Sequence, residues 1–167
     1  MALAGVVGCS KEDELADALM TNGSFELNGN FSTEDWIVSG GSSSADVPTG
    51  GGSYALRLDP QGFPGEGYAE YMISGLTGTQ DITITAFIKA FGDWPGSITI
   101  RKRTADNVLT VLATASSNTN VWEEKTLAVS GNFEDGDELI IKLSAGSTEI
   151  PVDTKYVLFD LITVTQN

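Results

Sequence analysis

The sequence predicts an all-β fold in which two antiparallel sheets pack as a jelly-roll sandwich, preceded by a short N-terminal tail or helix. After residue 20, short runs rich in β-branched and aromatic residues are separated by glycine, serine, asparagine and aspartate. Within the runs hydrophobic and polar residues alternate, as in residues 82–89, where isoleucine and alanine occupy the even positions. No stretch beyond residue 20 has the periodicity of an amphipathic helix. Alternation with one polar side is typical of antiparallel sheets that each have one face in water.

Ten segments have this strand character. In chain order they are 24–28, 35–39, 53–59, 68–74, 81–90, 97–104, 108–115, 121–130, 138–144 and 155–165. Their number and spacing are those expected of a β-sandwich or jelly roll. The glycine- and serine-rich stretch 41–53 is predicted to be a long flexible loop, and residues 134–137 a tight acidic turn. With no repeat and no second composition shift, residues 21–167 are predicted to form one domain.

The first 20 residues differ from the rest in composition. Residues 1–8 are small and apolar, Cys9 follows, and the charged run SKEDEL comes next. VVGC resembles a bacterial lipobox, and SKEDEL resembles the segment after the lipidated cysteine of surface lipoproteins. The resemblance implies that Cys9 carries a lipid and anchors the chain at the outer cell surface. Because residues 1–8 contain no lysine or arginine, they would be the end of a longer leader.

A second interpretation of this segment stays open. Cys9 is then an ordinary small hydrophobic residue, Ser10 caps a short helix, and the segment is an N-terminal arm. In both interpretations the apolar run is shorter than the roughly 20 residues that cross a bilayer. We therefore expect no transmembrane span.

Composition excludes most catalytic chemistries. The chain has no histidine and one cysteine, so triads that use histidine, intrachain disulfides and cysteine-rich zinc sites are excluded. A net charge of −14 repels phosphate backbones, so nucleic acid is not an expected partner. Two carboxylates could still act as acid and base, but Glu66, Glu70 and Asp93 form no identifiable pair. We expect that the protein is not an enzyme.

Seven landmarks in order carry a family resemblance. They are NGSFE (22–26), Trp36, GSYALRL (52–58), YMISGL (71–76), ITITAFIKA (82–90), VWEEKTL (121–127) and LFDLITV (158–164). Together they resemble the galactose-binding-like jelly roll of non-catalytic carbohydrate-binding modules, over residues 21–167. The resemblance implies a binding domain and, as its cofactor, a structural calcium ion.

The resemblance assigns the calcium ligands to Glu26 and Asp160, with backbone carbonyls near Ser24 and Ser53. The chemistry of the residues agrees, because Ca²⁺ prefers carboxylate and carbonyl oxygens. A carboxylate inside the apolar final segment is also costly unless something satisfies it. Many family members carry a second acidic residue where this chain has Leu161. In the alternative, Asp160 accepts backbone N–H bonds and Glu26 is simply exposed.

Five residues are candidates for binding a glycan. Trp94 lies in a turn between two strands, where we expect an exposed ring on which a sugar can stack. Phe91 and Tyr68 are further ring candidates. Alternation places Phe87 and Arg101 on outward positions of consecutive segments, where we expect them to share a face. In the alternative, this is a solvated sheet face with a stray phenylalanine, covered by a loop.

The other two tryptophans, Trp36 and Trp122, fall at landmark positions where the family has core-facing tryptophans. They are therefore expected to be structural.

The sequence thus predicts a non-catalytic carbohydrate-binding domain of a surface or secreted protein, with a glycan or polysaccharide as partner. The alternative is a structural or adhesive subunit of a surface assembly or virion that uses the same fold without sugar binding. In that case the N-terminal segment is an interaction arm and the chain self-assembles. A third class, a small glycoside hydrolase, needs an acid/base pair that the sequence does not provide.

Overall fold

A computed structural model describes residues 19–59, 66–92, 94–146 and 155–167. Every regular element in these ranges is a β-strand, and no helix in them is long and apolar enough to cross a bilayer. Cys9 and the short N-terminal helix or arm lie outside the described residues, so lipidation and surface anchoring stay predictions.

Twelve strands follow one another in the described residues. They are β1 (Glu26–Leu27), β2 (Asn30–Phe31), β3 (Trp36–Ser39), β4 (Gly41–Ser44), β5 (Ala55–Leu58), β6 (Gly67–Ile73), β7 (Gly78–Ala90), β8 (Gly96–Arg103), β9 (Leu109–Ser117), β10 (Glu123–Phe133), β11 (Glu138–Ala145) and β12 (Val157–Gln166).

The strands form two five-stranded sheets and one small hairpin. Sheet I has the order β3-β6-β11-β8-β9, sheet II has the order β10-β7-β12-β5-β4, and β1 and β2 form the hairpin. All pairings are antiparallel. The predicted all-β fold of two antiparallel sheets is confirmed.

The core lies between the two sheets and follows from the alternation. In β7 the residues Ile82, Ile84, Ala86 and Ile88 are buried, while the residues between them are partly exposed. From sheet I, Ile98, Ile100 and Ile141 meet them. Burying an aliphatic side chain of this size contributes about 1.5–3 kcal/mol relative to leaving it exposed, so this pattern fixes the inward face of each strand.

Two segments differ from the predicted elements. Gly41–Ser44 lies in the predicted flexible loop, yet it forms the edge strand β4 by pairing with β5. An edge strand needs only backbone pairing on one side, so a run of serines is sufficient. The predicted strand 24–28 contains only the two residues of β1, and Phe25 before it has a positive φ of 55°. That conformation interrupts an extended strand.

Candidate functional site

Asp160 on β12 is a buried carboxylate whose two oxygens differ. It is 0% exposed, and Oδ1 accepts the N–H of Leu161 at 2.7 Å. Oδ2 is buried without a hydrogen-bond partner among the described residues. Leu161 has a positive φ of 49° and the pairing with β7 is irregular between Asp160 and Thr163. A buried acceptor in this state needs a proton or a cation.

Glu26 reaches the same place from the other end of the chain. Its Oε1 accepts the N–H of Ser53 and, at 2.6 Å, the N–H of Tyr54. A Cβ on Gly52 would collide with the Glu26 carboxylate, and a Cβ on Gly51 would lie 2.7 Å from Oδ2 of Asp160. The two carboxylates therefore face neighbouring glycines of one loop.

The electrostatics of Asp160 reflect this arrangement. Burial raises its pKa to about 6, the Leu161 N–H opposes the rise, and the negative charge of Glu26 raises the pKa further. The structure thus brings Glu26 and Asp160 together, as the sequence predicts.

The donor set around this pair fits a hard cation. It consists of oxygens, and one of them is orphaned and buried. Because the described ranges hold no group of three or more histidine, cysteine or acidic side chains that could hold a metal, the remaining ligands would be backbone oxygens. Ser53 contacts Glu26 through its N–H, and Ser24 lies two residues before Glu26 on the same segment.

The predicted glycan-binding residues do not share one face. Phe87 lies on β7 in sheet II and Arg101 on β8 in sheet I. The expectation that they form one patch is wrong, because the chain crosses from one sheet to the other between β7 and β8. Tyr68 lies on β6 in sheet I, and Phe91 directly follows β7. The candidates are thus divided between opposite outer surfaces of the sandwich.

Trp94 is not an exposed platform. It is 8% exposed, and Lys155 Nζ lies 5.1 Å from its ring centroid. The turn folds against the end of the sandwich, where Gly146 N–H donates to the Pro95 carbonyl at 3.1 Å. The predicted exposure of Trp94 is wrong, because burying a large ring outweighs the usual exposure of a turn.

The outer surface of sheet II is partly covered by the loop 45–54. Asp46 Oδ2 accepts from Lys89 Nζ at 2.6 Å, and its Oδ1 accepts from Trp122 Nε1 at 3.0 Å. Pro48 in the same loop is buried. Trp122 is therefore half-buried on the outer surface, and the prediction that it faces the core is wrong. Its indole N–H is satisfied on this surface by the hydrogen bond to the carboxylate.

Trp36 behaves as predicted. It is buried and packs with its ring 5.1 Å from Phe25 and 5.3 Å from Tyr71.

Phe91 belongs to an internal stack beside the covered part of sheet II. Its ring lies 4.4 Å from that of Tyr156 at an interplanar angle of 26°. The Arg57 guanidinium lies 4.1 Å from the Tyr156 ring centroid, and Lys89 Nζ lies 5.1 Å from that of Phe91. These rings contact one another and nearby cations, which reduces the surface they offer to a ligand.

The outer surface of sheet I carries a different set of residues on its three central strands. We call it the open face, and it consists of Tyr68, Glu70, Thr99, Arg101 and Lys142. The register places Lys142 opposite both Glu70 and Thr99. Residues opposite one another in antiparallel strands project to the same side.

Ion pairs hold the polar side chains of the open face. Lys142 Nζ lies 2.7 Å from Glu66 Oε2 and 5.2 Å from the Tyr68 ring centroid. Arg101 Nη1 lies 3.8 Å from Glu70 Oε1. Exposed pairs of this kind add little stability, but they orient donors and acceptors beside a half-buried ring.

Within the part of the chain that the structure describes, the residues of the open face are partly exposed. Ile37 and Met72 flank it and are 49% and 38% exposed. Ser97 and Ser144 share a hydrogen bond of 2.8 Å at the next register position, level with Tyr68. The surface can therefore offer a ring, hydroxyls and charged groups to one ligand.

Sequence reasoning did not identify Lys142 and considered Glu70 only as a catalytic acid. Alternation in residues 138–144 places Lys142 on a polar side of the strand. This alternation is the sequence signal by which Lys142 could have been identified. Placing it beside Tyr68 requires the pairing of β6 with β11, and these strands are far apart in sequence.

No protein-family model and no curated protein sequence matches the chain. Its backbone is similar to those of solved structures. One is titled Family 16 Carbohydrate Binding Module-2, is 14% identical, and has a TM-score of 0.65 over 88% of this chain and 99% of that chain. Another is a family 61 carbohydrate-binding module in complex with β-1,4-galactotriose, at 14% identity and a TM-score of 0.59, covering 90% and 99%.

A third similar structure is the enzymatically active domain of tailspike protein 4 of bacteriophage CBA120. It is 13% identical with a TM-score of 0.64, and the match covers 90% of this chain but 21% of the tailspike chain. At these identities the similarity shows the fold, which is the jelly-roll sandwich of carbohydrate-binding modules.

Proposed function

We propose that this chain is a non-catalytic carbohydrate-binding domain of a surface or secreted protein, and that a glycan or polysaccharide binds on its open face. The observation that carries the proposal is Tyr68, a half-buried ring beside the Lys142 ammonium and level with a pair of serine hydroxyls. The similar fold of carbohydrate-binding modules supports it.

The open face suits a sugar chain chemically. The C–H face of a pyranose stacks on an aromatic ring, and its hydroxyls bond to polar groups around the ring. Arg101 supplies donors, Glu70 supplies acceptors, and Thr99 supplies both. None of these contacts requires proton transfer, so the proposed role is recognition and not hydrolysis.

We propose a neutral polysaccharide as the ligand class. The net charge of −14 repels anionic glycans at long range. The cations of the open face are already paired with carboxylates. The galactotriose bound to the family 61 module makes β-1,4-galactan a rational first probe.

The test is the substitution Tyr68→Ala, with binding to β-1,4-galactan and xylan measured by affinity electrophoresis and calorimetry. We expect at least a tenfold loss of affinity, because a tenfold change corresponds to about 1.4 kcal/mol and a stacked ring contributes on that order. Thermal unfolding of the variant checks that the sandwich is intact.

The matched control is Phe87→Ala, which removes a ring from the outer surface of the other sheet. The variant should bind as the wild type does. If Tyr68→Ala binds normally, or if Phe87→Ala loses as much affinity, the open face is not the glycan site.

We also propose that Glu26 and Asp160 hold a structural calcium ion, with backbone carbonyls near Ser24 and Ser53. The orphaned Oδ2 of Asp160 and the convergence of both carboxylates on Gly51 and Gly52 support this. A bound cation would neutralise two like charges and join the first described segment to the last strand.

A further inference from the structure

A pocket lies where the end of β7 in sheet II meets the end of β9 in sheet I. It has a volume of about 370 Å³ between the turn after β7 and the turn before β10, and the residues that line it are Ala90, Gly92, Asn118, Thr119 and Asn120. This volume is at the lower end of the range of ligand sites, about 300–1,000 Å³, and suits one ring-sized ligand.

The backbone around the pocket is braced. Ala90 N–H donates to the Thr119 carbonyl at 2.8 Å, which ties the two turns together. The Thr119 hydroxyl donates to the Val121 carbonyl at 3.3 Å, and Thr119 N–H donates to Ser117 Oγ at 3.3 Å. The Ser117 hydroxyl in turn donates to Glu123 at 2.5 Å. A turn held in this way has less freedom to lose when a ligand binds.

The polar side chains at the pocket are able to form hydrogen bonds with a ligand. Asn118 and Asn120 are exposed, and in the described parts of the chain neither side-chain amide has a hydrogen-bond partner. Gly92, with a φ of 74°, adds no side chain to the space. Each amide offers an acceptor oxygen and two N–H donors, which is the pattern that neighbouring sugar hydroxyls satisfy.

We propose that this pocket is a second ligand site, which takes a single neutral sugar residue through its vicinal hydroxyls and the amides of Asn118 and Asn120. The pocket shares no lining residue with the open face, and Asn118 directly follows β9, which lies three strands away from β6 and Tyr68 in sheet I. The inference therefore goes beyond the function proposed above. Two separated sites on one domain would let a polysaccharide and a terminal sugar bind together, which raises overall avidity.

The experiment is a titration of the full isotope-labelled chain with galactose and, separately, with xylose, followed through backbone amide chemical shifts. We expect saturable shifts at Gly92, Asn118 and Asn120 with at least one of the two sugars. The double substitution Asn118→Ala and Asn120→Ala should weaken this response at least tenfold.

Asn132→Ala is the matched control, because Asn132 is also exposed and its side-chain amide has no hydrogen-bond partner in the described part of the chain. This variant should respond as the wild type does. The inference fails if neither sugar shifts the pocket amides up to its solubility limit. It also fails if the double variant binds normally, or if Asn132→Ala weakens the response as much as the double substitution does. If no polysaccharide binds to the open face, the expected shifts of the pocket amides with galactose or xylose stay the same.

Discussion

Among the described residues, the buried aspartates Asp137 and Asp160 have pKa values shifted in opposite directions. Asp137 accepts the Glu134 N–H at 2.8 Å and lies 2.7 Å from Lys102 Nζ. These partners, led by the Glu134 N–H, lower its pKa from the ordinary value. Asp160 faces Glu26 without a cation among the described residues, and burial raises its pKa to about 6. The neighbours of each carboxylate decide whether its charge is tolerated.

The substitution Asp137→Asn tests the first case. Because the folded-state pKa of Asp137 is lowered, the unfolded chain binds more protons as the pH falls, and the contribution of Asp137 to stability is then lost. We expect the variant to have a lower free energy of unfolding than the wild type at neutral pH. The difference should shrink as the pH falls below about 4, the ordinary aspartate pKa. Urea unfolding at several pH values measures it.

Asp135→Asn is the control for this prediction, since Asp135 is exposed in the same turn. It should change the free energy of unfolding little at any of these pH values. A difference between Asp137→Asn and wild type that grows on acidification would contradict the argument.

At the scale of elements, the loop between β4 and β5 connects two distant parts of the chain. Its residues Gly51 and Gly52 lie against Asp160 of β12 and Glu26 of β1. Hydrogen bonds from the N–H groups of Ser53 and Tyr54 to Glu26 hold the loop there. A side chain on Gly51 would crowd the Asp160 carboxylate, and one on Gly52 would collide with the Glu26 carboxylate.

The substitution Gly52→Ala tests the role of this loop. The new Cβ would collide with the end of the Glu26 side chain, which can swing away because it is flexible and partly exposed. We expect the fold to be kept, with a loss of about 1–3 kcal/mol in the free energy of unfolding from the displaced charged hydrogen bonds. Any stabilisation by calcium should also fall. Chemical unfolding with and without calcium measures both effects.

Gly131→Ala on β10 provides the matched control. The nearest atom to its Cβ would be Cε2 of Phe133 at 3.7 Å, an ordinary contact. The control should keep the calcium response of the wild type. A normal calcium response in Gly52→Ala would show that Glu26 is not needed for it.

At the scale of the whole molecule, the first described segment closes against the last strand. Ile162 N–H donates to the Gly23 carbonyl at 2.8 Å, and a Cβ on Gly23 would collide with the Ile162 carbonyl. Phe25 beside this contact is fully buried. A cation between Glu26 and Asp160 would add an ionic link between the first described segment and the last strand. Its binding should therefore raise the free energy of unfolding of the whole domain.

Calcium should therefore raise the melting temperature of the wild type relative to EGTA. A ligand at 100 times its dissociation constant stabilises the native state by about 2.7 kcal/mol, which for a domain of this size is roughly 5–10 °C. Asp160→Asn should lose this response. In EGTA the variant should melt no lower than the wild type, because a buried charge beside Glu26 is removed. Differential scanning calorimetry of the wild type and the variant, each in calcium and in EGTA, measures the four melting temperatures.

Magnesium at equal concentration is the control ion, since it requires stricter octahedral geometry and retains its water. It should raise the melting temperature less than calcium does. If the wild type melts at the same temperature in calcium and in EGTA, the pair is not a calcium site.

The sequence by itself determined the all-β class, the inward faces of the central strands and the need of Asp160 for a partner, while the pairing with Glu26 came from the family resemblance. Alternation is a local property with a period of two residues, so the inward positions of β7 could be read directly. Asp160 was identifiable because a charge inside an apolar run needs a partner.

Only the tertiary structure decided which outward residues share a surface. Phe87 and Arg101 occupy consecutive strands but opposite sheets, whereas Tyr68 and Lys142 are distant in sequence and adjacent in space. The exposure of Trp94 likewise depends on what its turn folds against. The physical reason is that strand pairing depends on the burial and backbone hydrogen bonding of the whole sandwich. A local sequence pattern does not contain this information.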